Sequence, residues 1–261
     1  MLAGWGLWQL SVAALGVLLL GMSKGGFPIG TISLPLLILV WPDQTEPAKQ
    51  VVAFLLPVLC AMDIVAVCFY RRHIQWDRIL PLLPGTVVGV ILASVLFLSD
   101  GSIISFSDRW LKLAVGLIGV LFVLYRLFRH RITTRLGSDD RPSWRLSGGL
   151  GVTAGVTSTL AHAAGPVAQM YFLPQGLAKM NLAANLIGFF WLLNLIKLVP
   201  FGLLGRLELK NLALAGVLSP LAPLGVGCGY LIVRRLPPRY YLGLIYTLLF
   251  VTSLALIVKA L

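Results

Sequence analysis

Apolar runs recur along nearly the whole chain, and about 20 such residues in helical form cross a hydrocarbon core of about 30 Å. The runs fall near 3–22, 29–41, 50–70, 79–98 and 110–127, then near 146–161, 166–175, 180–203, 211–233 and 240–258. No soluble domain is left over. Only 11 % of the 261 residues are charged, against about 25 % in an ordinary globular domain. The expected fold is therefore an all-α polytopic membrane protein. The formal charge of +12 would suit nucleic acid, but the basic residues sit in short connectors between apolar runs, where they report membrane orientation instead.

The segments form two sets of five, and the second of each set is short. At 1.5 Å per residue, 29–41 and 166–175 cover about half a bilayer. Each set then reads as a broken-helix hairpin followed by three transmembrane helices, giving about eight segments, or ten when half-helices are counted. Between the sets, the stretch from Arg126 to Arg145 carries six arginines with Asp139, Asp140, Gly137 and Pro142, a composition that cannot pack in lipid. The expected organisation is a first membrane repeat over 1–128, a linker over 129–145 and a second repeat over 146–261. By the positive-inside rule the linker is cytoplasmic, and so are the connectors with Arg71, Arg72 and Arg78 and with Arg234, Arg235 and Arg239. The first hairpin then enters from outside and the second from the cytoplasm, so the repeats are inverted and their hairpins approach each other near the midplane. A full span for 3–22 is the alternative, because 20 residues suffice.

The two hairpin breaks carry the polar chemistry. Ser23-Lys24-Gly25-Gly26-Phe27-Pro28 and Ala161-His162-Ala163-Ala164-Gly165-Pro166 align at an offset of 138, which places Lys24 on His162 and Pro28 on Pro166. Paired breaks of this kind point to a transporter's binding site. A helix that restarts at a proline presents unpaired backbone N–H groups and a positive dipole end, both suited to an anion. Gly25, Gly26 and Gly165 let the backbone turn and approach a ligand. Lys24 supplies full charge, and Ser23, Thr31, Ser33, Ser158, Thr159 and Gln169 supply neutral hydrogen bonds. This donor set suits a small oxyanion such as a sulfonate, sulfite or carboxylate.

His162 either donates to the anion or, with a reference pKa of about 6.5, couples transport to protons; the alternative is a neutral imidazole satisfied by a carbonyl. Asp63 is an intramembrane carboxylate, hence a candidate for pairing with Lys24 or for proton exchange, but too repulsive to touch an anion. Asn185 and Asn194 are candidate neutral ligands, with interhelical hydrogen bonding as the structural alternative. Lys197 is about two turns from the outer end of its segment, close enough to snorkel there. Gly225, Gly227 and Gly229 lack a preceding strand, so they read as helix-packing glycines and not as a nucleotide loop. Cys60, Cys68 and Cys228 lie inside apolar runs without any CxxC or Cys/His cluster, so neither metal nor other cofactor is expected. Met1 to Gln9 has no positive leader region, and a cleaved signal peptide is not expected.

The stretch Gly21-Met22-Ser23-Lys24-Gly25-Gly26-Phe27-Pro28-Ile29-Gly30-Thr31-Ile32-Ser33-Leu34-Pro35 resembles the N-terminal signature of the TauE/SafE sulfite exporter family, also called the toluene sulfonate uptake permease family. The duplicated layout is similar too. The resemblance implies a multi-pass permease of the bacterial inner membrane that moves sulfite, thiosulfate or small organosulfonates, commonly as an exporter. Together with the residues it leads to a secondary transporter working by alternating access, not an enzyme. Its partners are a small anionic sulfur compound, membrane lipids and a coupled proton or ion, and a homodimer is compatible with this class. The alternatives are an anion channel, an uptake permease for another organic anion, and an intramembrane enzyme built on Ser158, His162 and Asp63, for which no spacing fixes a triad.

Overall fold

The computed structural model describes residues 6–27, 29, 33, 37, 40–41, 47–98, 117, 120–121, 123–124, 142–162, 164–203 and 215–258. These residues are helical throughout their regular parts, with no strand among them. The principal helices are α1 (Leu7–Lys24), α2 (Pro47–Tyr70), α3 (Trp76–Ile79), α4 (Leu83–Leu98), α5 (Trp144–Ala161), α6 (Gly165–Phe172), α7 (Lys179–Leu203), α8 (Leu221–Arg235) and α9 (Pro238–Val258). Among the described residues three helices, Leu7–Lys24, Trp76–Val95 and Lys179–Leu203, are long and apolar enough to cross a membrane. Val88, Ile91, Leu92 and Val95 of α4 are each about half exposed, an outer apolar face that suits lipid and not water.

Several helix ends follow prolines, although Pro57 and Pro200 lie inside α2 and α7. The expected segment 79–98 is divided by a 3₁₀ turn, Leu80–Leu82, which holds Pro81. The expected segment 211–233 is broken at Ser219 and Pro220, and α8 starts only after them. Pro166 sits in the first turn of α6, and the short second segment of the latter half is this helix plus the 3₁₀ turn Leu173–Gln175. The larger part of the corresponding segment 29–41, of the span 110–127 and of the 129–145 linker lies outside the described residues.

The described chain divides into two compact units that cut across its halves. One takes in Met1–Ile74 with Ile187–Leu236, and the other Gln75–Leu186 with Pro237–Leu261. In the first unit α1 packs on α8, and in the second α4 packs on α5. Both contacts are made by glycines four residues apart. A methyl at Gly25 would overlap the carbonyl oxygen of Val226, and one at Gly229 would overlap that of Met22. Gly21 and Gly225 meet in the same way one turn earlier. In the second unit Gly85 and Gly89 of α4 face Gly151 and Gly155 of α5, so closely that a methyl at Gly155 would overlap the Thr86 carbonyl. Small residues at this spacing let helix backbones touch, where dispersion and weak polar contacts do what water exclusion cannot do in lipid. Gly225 and Gly229 are thus packing glycines, as their apolar surroundings predict.

Gly155→Leu is expected to destabilise the second unit by about 1–3 kcal/mol through overpacking, seen as a lower unfolding midpoint in detergent. Gly227→Ala faces open space and is expected to leave the midpoint unchanged or raise it, since a helical Gly→Ala change gains about 0.5–1 kcal/mol.

Candidate functional site

In the first unit, α1 ends in a two-bond cap. Gly26 N donates to Ser23 O (2.9 Å) and Phe27 N donates to Met22 O (3.1 Å), with Gly26 at φ 97°. This is the Schellman arrangement, which requires a left-handed residue just past the helix. Of the two adjacent glycines, Gly26 makes the turn, while Gly25 gives up its side chain to the backbone of α8. Tyr70, fully buried at the end of α2, donates its hydroxyl to the Gly25 carbonyl (2.8 Å) and sets its ring edge-on to Tyr230 of α8. The break is therefore held by α2 and α8 together.

Lys24 is the last residue of α1, where the helix dipole favours a cation. Its Nζ lies 2.7 Å from Asp63 Oδ1 and 5.2 Å from the centroid of the Phe190 ring. Asp63 is 0 % exposed and its other oxygen, Oδ2, accepts from Asn194 Nδ2 at 2.6 Å. Thus Asp63 pairs with Lys24, and Asn194 makes an interhelical hydrogen bond. Lys197 lies one turn beyond Asn194 on the same side of α7 and is also fully buried. The outward snorkelling open to it from its position in the segment does not occur. Its side chain is enclosed in the interior of the unit, on the side of α7 that carries Asn194. Ser23 is half-buried and its carbonyl belongs to the cap, while Ser33 is helical and buried. Pro28 and Thr31 lie outside the described residues.

In the second unit, α5 ends differently. His162 itself takes the left-handed conformation (φ 49°, ψ 31°), and its backbone N–H donates to Ser158 O at 3.0 Å. At the offset of 138, the left-handed turn in the first break falls two residues after Lys24, whereas in the second it falls on the histidine. The two breaks are aligned in sequence yet capped by different residues, because Gly26 has no counterpart glycine: Ala164 stands there. Ser158 and Thr159 are buried on the last turn of α5, and the Thr159 hydroxyl donates to Gly155 O (2.8 Å). Gly165 opens α6, with open space where a side chain would be, and Gln169 is half-buried one turn later.

Asn185, in the same unit, is bonded to the chain just before α3. It accepts from Gln75 N (2.7 Å) and donates to Gln75 Oε1 (3.1 Å), so its amide clamps the start of α3. The far end of α6 is held by a closed ring. Tyr171 Oη donates to Arg78 O (3.0 Å), Arg78 Nη1 to Gln175 Oε1 (3.2 Å), and Gln175 Nε2 to Tyr171 O (3.0 Å). Tyr70 carries no sequence signal for its role, because an aromatic at the end of an apolar run reads as an interfacial or core residue; Phe190 in mid-run and Gln75 in a connector are equally silent.

A known family description, Sulfite exporter TauE/SafE, matches residues 11–256, nearly the entire chain. The chain belongs to the TauE/SafE sulfite exporter family. Comparisons with curated proteins and with solved structures return no match. Family membership makes the chain a membrane transporter of sulfite or related anions, and the Lys24–Asp63 pair lies inside a transporter's helices. A charge there is costly unless it serves the transported species or is paired.

Asp63→Leu strands the Lys24 ammonium and is expected to cost about 3–5 kcal/mol, measured as a fall in the thermal midpoint in detergent. Adding Lys24→Met should recover part of that loss; a double variant no more stable than the single one would remove the ion pair as Asp63's contribution. His162→Gly is expected to be about 1 kcal/mol more stable than His162→Ala, because only glycine takes the left-handed cap without strain.

Proposed function

We propose that this TauE/SafE protein is a multi-pass secondary transporter of the bacterial inner membrane that exports sulfite or a small organosulfonate by alternating access. The observation that carries this reading is Lys24: an ammonium at the very end of a helix, 11 % exposed, held against a fully buried carboxylate and an aromatic face. Such a cation is charged, nearly dry and already paired with a carboxylate oxygen. A sulfonate or sulfite oxygen offers the same acceptor chemistry. Lys197, one turn beyond Asn194 on α7, is also buried in the first unit.

The proposed substrate-binding residues are Lys24, Ser23, Gly25, Gly26 and Pro28 at the first break, and Ser158, Thr159, His162, Gly165 and Gln169 at the second. Asn194 acts through Asp63, and Asn185 through the position of α3. The duplicated origin of the two breaks is supported by the way helices pair within each unit. The helix α8 stands at an offset of 138 from α4; α1 packs on α8 in one unit, and its counterpart α5 packs on α4 in the other. Inverted repeats built this way place transported ions at helix breaks in other secondary transporters. No catalytic step is assigned to any residue.

The test is sulfite flux into liposomes containing the purified protein, together with calorimetric binding. Lys24→Met is expected to weaken sulfite binding about 10- to 100-fold, the equivalent of one charge-assisted hydrogen bond of about 1.5–3 kcal/mol, and to slow saturable flux accordingly. Undiminished affinity in a folded Lys24→Met protein would take Lys24 out of the site. Conductance without saturation or counterflow would replace the carrier with a channel.

A further inference from the structure

Asp63 holds the cation that an incoming anion would need, the Lys24 ammonium. Each carboxylate oxygen has its own partner: Oδ1 faces the Lys24 ammonium at 2.7 Å, and Oδ2 accepts from the Asn194 amide at 2.6 Å. The charged and titratable groups that face it are Lys24 from α1, Lys197 from the latter part of α7, and Cys60 one turn earlier on α2 itself. Among the described residues, α8 also packs on α1 and α2 and adds no charge to this set.

An anion that takes the Lys24 ammonium takes it from Oδ1. The carboxylate then keeps one amide donor in an apolar interior, and the attraction that offset its desolvation is gone. Neutralisation is the less costly state for such a group. The vacated oxygen is Oδ1, whereas Oδ2 goes on accepting from Asn194, whose amide nitrogen is a donor only. We propose that Asp63 is a proton-binding site linked to anion binding. The Lys24–Asp63 ion pair opens, the ammonium pairs with the anion, and Oδ1 takes one proton from solvent. One O–H bond forms, none breaks within the protein, and nothing is oxidised or reduced. For a monoanion the proton cancels the added charge, so the net charge within the helices is the same before and after loading. That electroneutrality is the physical reason for the linkage.

The inference rests on the anion reading above, and the experiment separates the two. Isethionate and thiosulfate, which do not titrate near neutral pH, are the probes, with sulfite as reference, added to the full chain in detergent. Calorimetry in two buffers of different ionisation enthalpy counts protons per bound anion, and infrared difference spectra report a newly protonated carboxyl. The expected result is about one proton per anion, with affinity weakening about tenfold per pH unit across the linked range, and a carboxylic-acid band. Lys197→Met keeps both signals and Asp63→Asn loses both. Should Asp63→Asn fail to fold, Asp63→Glu is expected to move the band, and an unmoved band overturns the assignment. Binding without proton uptake, or uptake that survives Asp63→Asn and vanishes in Lys197→Met, overturns the proposal and leaves the anion reading intact. Absence of binding by all three anions overturns both.

Discussion

A carboxylate at full burial inside a bundle of apolar helices is tolerable only when charge and hydrogen bonds are returned to it from within the protein. Asp63 receives them from two other helices, α1 through Lys24 and α7 through Asn194. Those two contacts tie three helices of the first unit to one point, and that point coincides with the end of α1. The Lys24 ammonium, the Tyr70 hydroxyl on the Gly25 carbonyl and the left-handed Gly26 act on three consecutive residues. The break is consequently held from several directions.

Close approach of helix backbones makes this possible. With lipid on the outside, burying leucines yields little driving force, so α1 and α8 associate through glycines whose absent side chains let carbonyl oxygens and Cα atoms touch. Gly25 belongs to this contact, although its place in a glycine-rich break suggests a ligand loop. The same device joins α4 to α5 through Gly85, Gly89, Gly151 and Gly155. Both units therefore carry one tight pair, and in each the helix that ends at a polar break is a member of it.

Much of the helical layout is legible in the sequence. The apolar segments 50–70, 146–161, 180–203 and 240–258 match α2, α5, α7 and α9 to within a few residues, because length and hydropathy are local properties. Pairing of Asp63 with Lys24 was readable as one of two roles, since an ionisable group in lipid needs a partner and few were available. Other features were not legible. Lys197 sits at a distance from its segment end that allows snorkelling, and only its direction, inward beside Asn194, removes it from water. The offset of 138 aligned Lys24 with His162 and suggested equal backbones, yet a glycine in one break and an alanine in the other moved the left-handed residue onto His162 itself.

By itself the sequence determined that this chain is a helical membrane protein of the TauE/SafE family, with a lysine and a histidine at two prolines' approach. Hydrophobic length, proline and glycine act on the segment that contains them, so no tertiary information is needed. Tertiary structure decided which polar groups meet. Asn194 and Asp63 are 131 residues apart, and Asn185 is committed to Gln75 instead of to any break. Hydrogen bonds and ion pairs depend on distances of a few ångströms between helices, which the order of residues along the chain does not encode locally.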